Sequence, residues 1–238
     1  MQSALSFIYP PQCISCAALV ESEFALCGSC WGDTHFIDGL ICDKCGAPLP
    51  GEGDGTAELC DDCIATARPW DKGRAVMLYK ENGRKLVLAL KHGDRTDLAR
   101  PSGAWLLNAA KDLIEPGTIV TAVPMHWIRL LKRRYNQAAL LAQVLAREAG
   151  RSYQPQLLVR KKRTKPLDGL GRDGRFEMLS GTIAPHPRHR HRITGKPVLI
   201  VDDVMTSGAT LAACAEACLA AGAAKVNIIT LARVAMDA

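Results

Sequence analysis

Aromatic residues are scarce: phenylalanine, tryptophan and tyrosine together make up 5% of the 238-residue chain. That scarcity works against a nucleic-acid surface of interleaved rings on which successive bases stack. No segment supplies the ~20 consecutive, predominantly apolar residues of a membrane-spanning helix, so no membrane insertion is expected. The opening residues lack the basic start, apolar core and small-residue cleavage site of a secretory signal. A cytoplasmic protein is the expectation. Cysteine is absent between Cys63 and Cys214. That distribution favours metal binding over a disulfide framework.

The remaining cysteines are concentrated instead. Eight of the 10 form four CxxC pairs, CISC (Cys13, Cys16), CGSC (Cys27, Cys30), CDKC (Cys42, Cys45) and CDDC (Cys60, Cys63). Each pair lets one tight turn aim two thiolates at a single ion, and two pairs complete the tetrahedral sulfur shell that zinc accepts. Two structural zinc sites are expected, with no open position for catalysis. Sequential and interleaved pairing of the four motifs both satisfy the spacing. An iron–sulfur cluster takes the same ligands, but the pairs look like zinc-ribbon knuckles rather than compact ferredoxin runs. The intervening PLPGEGDGTAE turns more than it packs, so metal should supply much of this module's folding free energy.

Charge divides at the same place. Residues 1–70 carry 10 acids and two bases, whereas residues 71–238 carry 14 acids and 28 bases, a formal −8 followed by +14. A polyanion should meet the second part, not the cysteine module. The expected division is a cysteine-rich double zinc-binding module at 1–66 and an α/β domain at 67–238.

Within the second part, residues 70–79 have strand character, NGRKLVLALKHGD reads as a short helix ending near Gly93, and RPSGAWLLNAAKDLIEPG as a helix closed by Pro116 and Gly117. TIVTAVP gives a strand and a loop, residues 136–148 a helix, QPQLLVR a short strand, PVLIVDD a buried strand, ATLAACAEACLAAG a helix and AKVNIITLARV a closing strand. Strands alternating with helical crossovers imply a parallel sheet, with ligands beyond the carboxyl ends of its strands. At one such end lies VLIVDDVMTSGATLAACAEAC. Asp202 and Asp203 close the apolar run, and Thr206, Ser207, Gly208, Ala209 and Thr210 turn from strand to helix. Free backbone N–H groups and short hydroxyls there can surround a phosphate.

The stretch has neither GxxxxGK[ST] nor GxGxxG. Its two acids would repel bare polyphosphate, so they suit ribose hydroxyls or a magnesium ion carried by the ligand. The plainer alternative is an acidic strand end running into an ordinary helix cap.

IVDDVMTSGAT closely resembles the phosphoribosyl pyrophosphate loop of type I phosphoribosyltransferases. With PPQCISC, LALKHGD, AVPMHWIRLLKRRYNQA and RKKRTKPLDGLGRDGR, the whole chain resembles the ComF family of competence proteins. The resemblance implies a type I phosphoribosyltransferase-like parallel sheet flanked by helices, preceded by the two-zinc module, and a role in DNA uptake or processing. It implies that Asp202 and Asp203 hold the ribose hydroxyls and that Thr206, Ser207, Gly208, Ala209 and Thr210 wrap the 5′-phosphate. AVPMHWIR, with Pro124, Met125, His126 and Arg129, looks like the pyrophosphate loop, and the segment from RKKRT to RDGR looks like a mobile loop closing over the site. Leu167 and Met178 stand near positions where the family usually carries glutamine and asparagine, which puts closure and base recognition in question.

The implied ligands are phosphoribosyl pyrophosphate with magnesium. Transfer of the ribosyl group is left open, with Asp202, Asp203 and Arg129 as the candidate catalytic residues. Residues 129–134 and 160–165 concentrate basic charge and could instead track single-stranded DNA, giving a non-enzymatic nucleic-acid-binding module or an assembly scaffold for DNA-processing proteins. HPRHRHR, at 186–192, reads as a basic loop. Cys214 and Cys218 sit among alanines, with no base or positive field to activate a thiol, and are read as core.

Overall fold

The computed structural model describes residues 9–53, 55–161 and 181–234. Among them run seven α-helices and seven strands. In chain order these are α1 (Gly28–Gly32), α2 (Asp61–Ala65), β1 (Gly73–Leu78), α3 (Glu81–His92), α4 (Ala99–Ala109), β2 (Ile119–Ala122), α5 (Trp127–Arg133), α6 (Gln137–Glu148), β3 (Ser152–Tyr153), β4 (Leu158–Arg160), β5 (Ile183–Pro185), β6 (Pro197–Met205), α7 (Ala209–Ala220) and β7 (Lys225–Arg233).

Five strands form a wholly parallel sheet in the order β1-β7-β6-β2-β3. The continuous apolar runs of β6 and β7 place Val198, Leu199, Ile200, Val201, Val226, Ile228 and Ile229 in the core. That pattern belongs to strands covered on both faces. Val201 aligns with Ala122 on one side and Ile229 on the other, and Asp202 aligns with Thr230. The crossover from β6 through α7 to β7 moves one way across the sheet, and that from β2 through α6 to β3 moves the other. Right-handed connections therefore put α6 and α7 on opposite faces, and the chain leaves a switch point between β2 and β6.

Local chemistry sets the helices. Asn136 caps α6 by accepting the Ala138 N–H at 3.1 Å, and Leu141, Ala142, Leu145 and Ala146 line its buried stripe. Two expectations change. The helix foreseen at 100–117 stops at Ala109, and Ala110 and Leu113 remain buried in the turns that follow. The QPQLLVR strand lies outside the main sheet, where β4 pairs antiparallel with β5. A short apolar run states that a strand is buried, but not which partner it finds.

The cysteine pairs associate sequentially. The Sγ atoms of Cys13, Cys16, Cys27 and Cys30 lie within 4.8 Å of one another, and so do those of Cys42, Cys45, Cys60 and Cys63. The two sites repeat one design. The first pair occupies a tight turn closed by an antiparallel bridge, Gln12 to Leu19 or Ile41 to Pro48, and the second pair begins at the N-cap of a short helix, Cys27 for α1 and Cys60 for α2. Separations of 3.6 Å (Cys16 to Cys27) and 3.5 Å (Cys45 to Cys60) suit four sulfurs each ~2.3 Å from a tetrahedral zinc ion. Thiol donors from Cys45 and Cys63 hold Cys42 well below the usual thiol range, while Cys42 in turn pushes Cys63 up to about 11. Burial pushes Cys30 up to about 12. Four sulfurs so crowded settle as thiolates only around a shared cation.

This module is built onto the sheet. Ile37 N–H donates to Val76 at 2.9 Å, Leu78 N–H donates to His35 at 2.9 Å, and Phe36 bridges Met77 antiparallel, so the segment borders β1. Gly73 N–H donates to the Asp43 carbonyl at 2.8 Å. A Cβ at Gly46 would meet the backbone of Arg74 and Ala75, and one at Gly73 would meet the Lys44 carbonyl, so glycine permits the close approach.

Two zinc ions per chain are expected by thiol-blocking release into a chromophoric chelator. Cys42→Ser is expected to remove one equivalent and to lower Tm more than Cys16→Ser, because the Cys42 site is buried against β1 whereas Cys16 is exposed. Equal losses of Tm would contradict the anchoring role of the second site.

Candidate functional site at the carboxyl end of β6

β6 delivers Asp202 and Asp203 to the switch point, and its next residues turn into α7. Gly208 sits at the N-cap of α7 with φ 81°, in the left-handed region, and no side chain caps the helix. Its Cβ would also meet Met205 Cε, Arg68 Nη1 and the Trp70 ring. Both backbone conformation and space therefore require glycine. Ser207 Oγ lies 3.5 Å from the Ala209 N–H, while Thr206 is exposed and Ser207 and Thr210 are half-buried. An uncapped first turn flanked by hydroxyls is a receptive place for an anion.

The acid pair is held by backbone. Asp202 accepts the Asp203 N–H at 2.9 Å, and Asp203 accepts the Val204 N–H at 2.9 Å. Burial, and then the charge of Asp203, push the Asp202 carboxyl well above the usual carboxylate range. Lys91, at the end of α3, places Nζ 3.7 Å from Asp203 Oδ2. Arg160 lies in the field of Arg129 and Asp202; burial lowers its pKa, Arg129 lowers it further and Asp202 opposes the fall. His92 is likewise lowered by burial and then by Arg133 and Lys91. The site thus sets two carboxylates beside Lys91 of α3 and within the field of Arg160 of β4, which Arg129 of α5 also reaches.

Pro124 and Met125 are half-buried beside it, in a loop that Asn136 fixes by donating Nδ2 to the Val123 carbonyl at 3.0 Å. His126 is buried, and its Nδ1 accepts the Ile128 N–H at 3.3 Å, so the ring caps α5. That helix was foreseen only as a loop. Tyr135 donates its hydroxyl to the Leu90 carbonyl at 2.7 Å, while Trp127 is exposed. Of the second basic run, Arg160 and Lys161 are described; residues 162–180, with Leu167, Met178 and the rest of the foreseen closing loop, lie outside the described residues. Cys214 and Cys218 are fully buried, and burial pushes both thiols up, as expected of core residues.

Sequence reasoning gave no role to Arg68, whose side chain is fully buried. It pairs with Asp62, between the zinc ligands Cys60 and Cys63, and donates Nη1 to the Ser207 carbonyl at 2.7 Å. Arg233, at the end of β7, is also buried and approaches Asp62 Oδ2 at 3.9 Å. Its charge favours the thiolate of Cys45, against the Cys42 and Cys63 thiols and burial, which together hold Cys45 high. The second zinc site therefore supports the turn from β6 into α7 through one guanidinium. No local motif marks Arg68, because its partner Ser207 is 139 residues away.

A parallel sheet with an acid pair and an open helix N-terminus at its switch point, joined to two four-cysteine sites, defines a phosphoribosyltransferase-type domain carrying a double zinc ribbon. The double zinc ribbon domain matches residues 4–64, and the phosphoribosyl transferase domain matches residues 136–237. The chain is 30% identical over 200 residues to the DNA utilization protein YhgH of Salmonella typhi, covering 81% of this chain and 84% of the relative. It is 26% identical to competence protein F of Haemophilus influenzae (93% and 96% covered) and 25% identical to competence protein ComFC of Bacillus subtilis (90% and 87% covered). The chain belongs to the ComF family.

Two outcomes follow from the buried charges. Arg68→Met takes from the buried Asp62 carboxylate its direct guanidinium partner and is expected to reduce unfolding free energy by about 3–5 kcal/mol in denaturant titration; a change below about 1 kcal/mol would show that the pair does not brace the turn. The raised pKa of Asp202 favours folding below the unfolded carboxylate value of ~3.9 and penalises it as pH rises through the folded value. Asp202→Asn should therefore raise Tm at pH 7 and leave it nearly unchanged at pH 3.5.

Proposed function

We propose that the second domain binds phosphoribosyl pyrophosphate with magnesium and transfers its phosphoribosyl group, in a cytoplasmic role in DNA uptake or processing. The observation that carries this reading is the succession of Asp202 and Asp203, a left-handed Gly208 and the uncapped first turn of α7 at the switch point. The two carboxylates accept the ribose hydroxyls, and Thr206, Ser207, Gly208, Ala209 and Thr210 enclose the 5′-phosphate. Pro124, Met125 and His126 form the wall where pyrophosphate lies, with Arg129 beside it.

Two carboxylates without a third acidic ligand among the described residues suit an ion that arrives on substrate phosphates rather than one caged by protein. Magnesium would supply charge neutralisation on the pyrophosphate oxygens. When pyrophosphate leaves C1, positive character develops on the sugar, which Asp202 and Asp203 face, and negative charge grows on the leaving group, which Arg129, Lys91 and Arg160 face. Alignment and electrostatics, not a covalent protein nucleophile, do the work. The double zinc ribbon, taken as residues 1–66, braces residues 67–238 and offers a surface for DNA-processing proteins.

A second reading, single-stranded DNA binding without transfer, draws on α5. Trp127 and Leu131 are exposed there among Arg129, Lys132 and Arg133, and Arg160 and Lys161 open the second basic run nearby. One experiment separates the two. Calorimetric titration of zinc-loaded protein with phosphoribosyl pyrophosphate and magnesium should give saturable binding that the Asp202→Asn, Asp203→Asn double variant loses. No binding by folded wild type, with an oligothymidylate affinity that falls on replacing Arg129, Lys132 and Arg133 by alanine, would replace the first reading by the second.

A further inference from the structure

At the opposite end of the sheet, where β2 and β3 begin, lies a cavity of about 590 Å³. Gly117, Thr118, Ile119, Gly150, Arg151 and Ser152 form part of its wall, with Gln154, His191, Arg192 and Lys196 completing it. Three permanent cations and a histidine face this space, and no carboxylate does among the described residues. Arg151 has a buried Nε with no hydrogen-bond partner among the described residues. A buried guanidinium N–H without an acceptor is costly, and like charges gathered without a counter-charge add to the cost.

The wall is ordered. Arg192 donates Nη1 to Gln154 Oε1, and Gln154 donates Nε2 to Ser152 Oγ at 3.0 Å. The Gln154 backbone is itself held, its N–H donating to Val120 at 2.9 Å and its carbonyl accepting from Thr121 Oγ1 at 2.9 Å. The Arg151 N–H donates to Ala146 at 2.8 Å, and the Lys196 N–H to Ile193 at 3.0 Å. The cations thus converge from fixed backbone rather than from a loose surface run.

We infer that this cavity binds a phosphate monoester of nucleotide size, with Arg151, Arg192 and Lys196 on the phosphate. A space of this volume exceeds what a bare phosphate fills and matches a small-molecule site, while guanidinium forks suit phosphate oxygens. The exposed His191 ring offers surface to the organic part, and Ser152 and Gln154 offer polar contacts. The site is separate from the acid pair. The strand from Lys196 to Asp202 spans roughly 20 Å at ~3.3 Å per residue. This also gives a function to the HPRHRHR segment, which the carboxyl-end site does not use.

The phosphate has two sources, a free nucleotide or the 5′-terminal nucleotide of a single strand. The test titrates full-length, zinc-loaded protein carrying Asp202→Asn and Asp203→Asn, so that the other site is silent, with inorganic phosphate, AMP, 5′-phosphorylated hexathymidylate and its 5′-hydroxyl counterpart. Saturable binding of AMP or the phosphorylated strand, weakened at least about tenfold by Arg151→Gln and by Lys196→Gln, is expected. Arg192→Gln, on the exposed rim, should act in the same direction and guards against a misfolded Arg151 variant. AMP binding tighter than the strand identifies the free nucleotide; a strand that binds only when phosphorylated identifies the 5′ end. Affinities unchanged in all three variants, or no preference for either organic phosphate over inorganic phosphate, would overturn the assignment.

Discussion

The guanidinium of Arg68 stands where the second cysteine site and the turn from β6 into α7 meet. One side pairs with Asp62, between Cys60 and Cys63, and the other donates to the Ser207 carbonyl at 2.7 Å. The Arg68 guanidinium also lies 5.6 Å from the Trp70 ring, and Trp70 and Lys44 exchange hydrogen bonds across the same seam. A charge removed from water here is tolerable only if every partner keeps its place. The left-handed Gly208 depends on that seam, since Arg68 and Trp70 fill the space a side chain would need. The open helix end beside the acid pair is thus a property of both modules together.

Opposed charge organises the same boundary. The acidic ribbon meets the basic domain where Asp43 faces Arg74 at 2.7 Å and Lys72 at 3.7 Å, with Asp112 contacting both bases. The exposed Lys72 pairs contribute little one by one, whereas Arg74 is largely buried between its two carboxylates. The excess of positive charge lies elsewhere, with Lys91 beside Asp203 and Arg151, Arg192 and Lys196 at the far end of the sheet.

Much of this was legible in sequence, for physical reasons that differ by element. The zinc sites follow from ligand spacing, because CxxC closes a turn within four residues; the pairing of turns does not, since it needs contacts across the module. β6 and α7 were readable because burial on both faces leaves an unbroken apolar run that stops at two acids. The helix α5 was missed because it is seven residues long and buries none of them, so Trp127, Leu130 and Leu131 on its apolar side stay exposed. QPQLLVR was read as a short strand, and Leu158–Arg160 form one, but its antiparallel partner at residues 183–185 leaves no local mark. Lys91, Arg160 and Arg68 reach the site from remote positions. LALKHGD carried the family resemblance, yet only the fold shows its lysine 3.7 Å from Asp203.

The antiparallel bridge between Phe36 and Met77 carries a consequence for how the molecule behaves in company. β1 is one margin of the sheet, and its outward N–H and C=O groups are taken up by the ribbon at Ile37 and His35. The other margin, β3, is only two residues long. Neither side presents a long open template to which a neighbouring chain could add a strand. The ribbon is in this sense a selvedge: it finishes the fabric of the sheet, and a chain deprived of metal would fray there, offering a raw border for self-association.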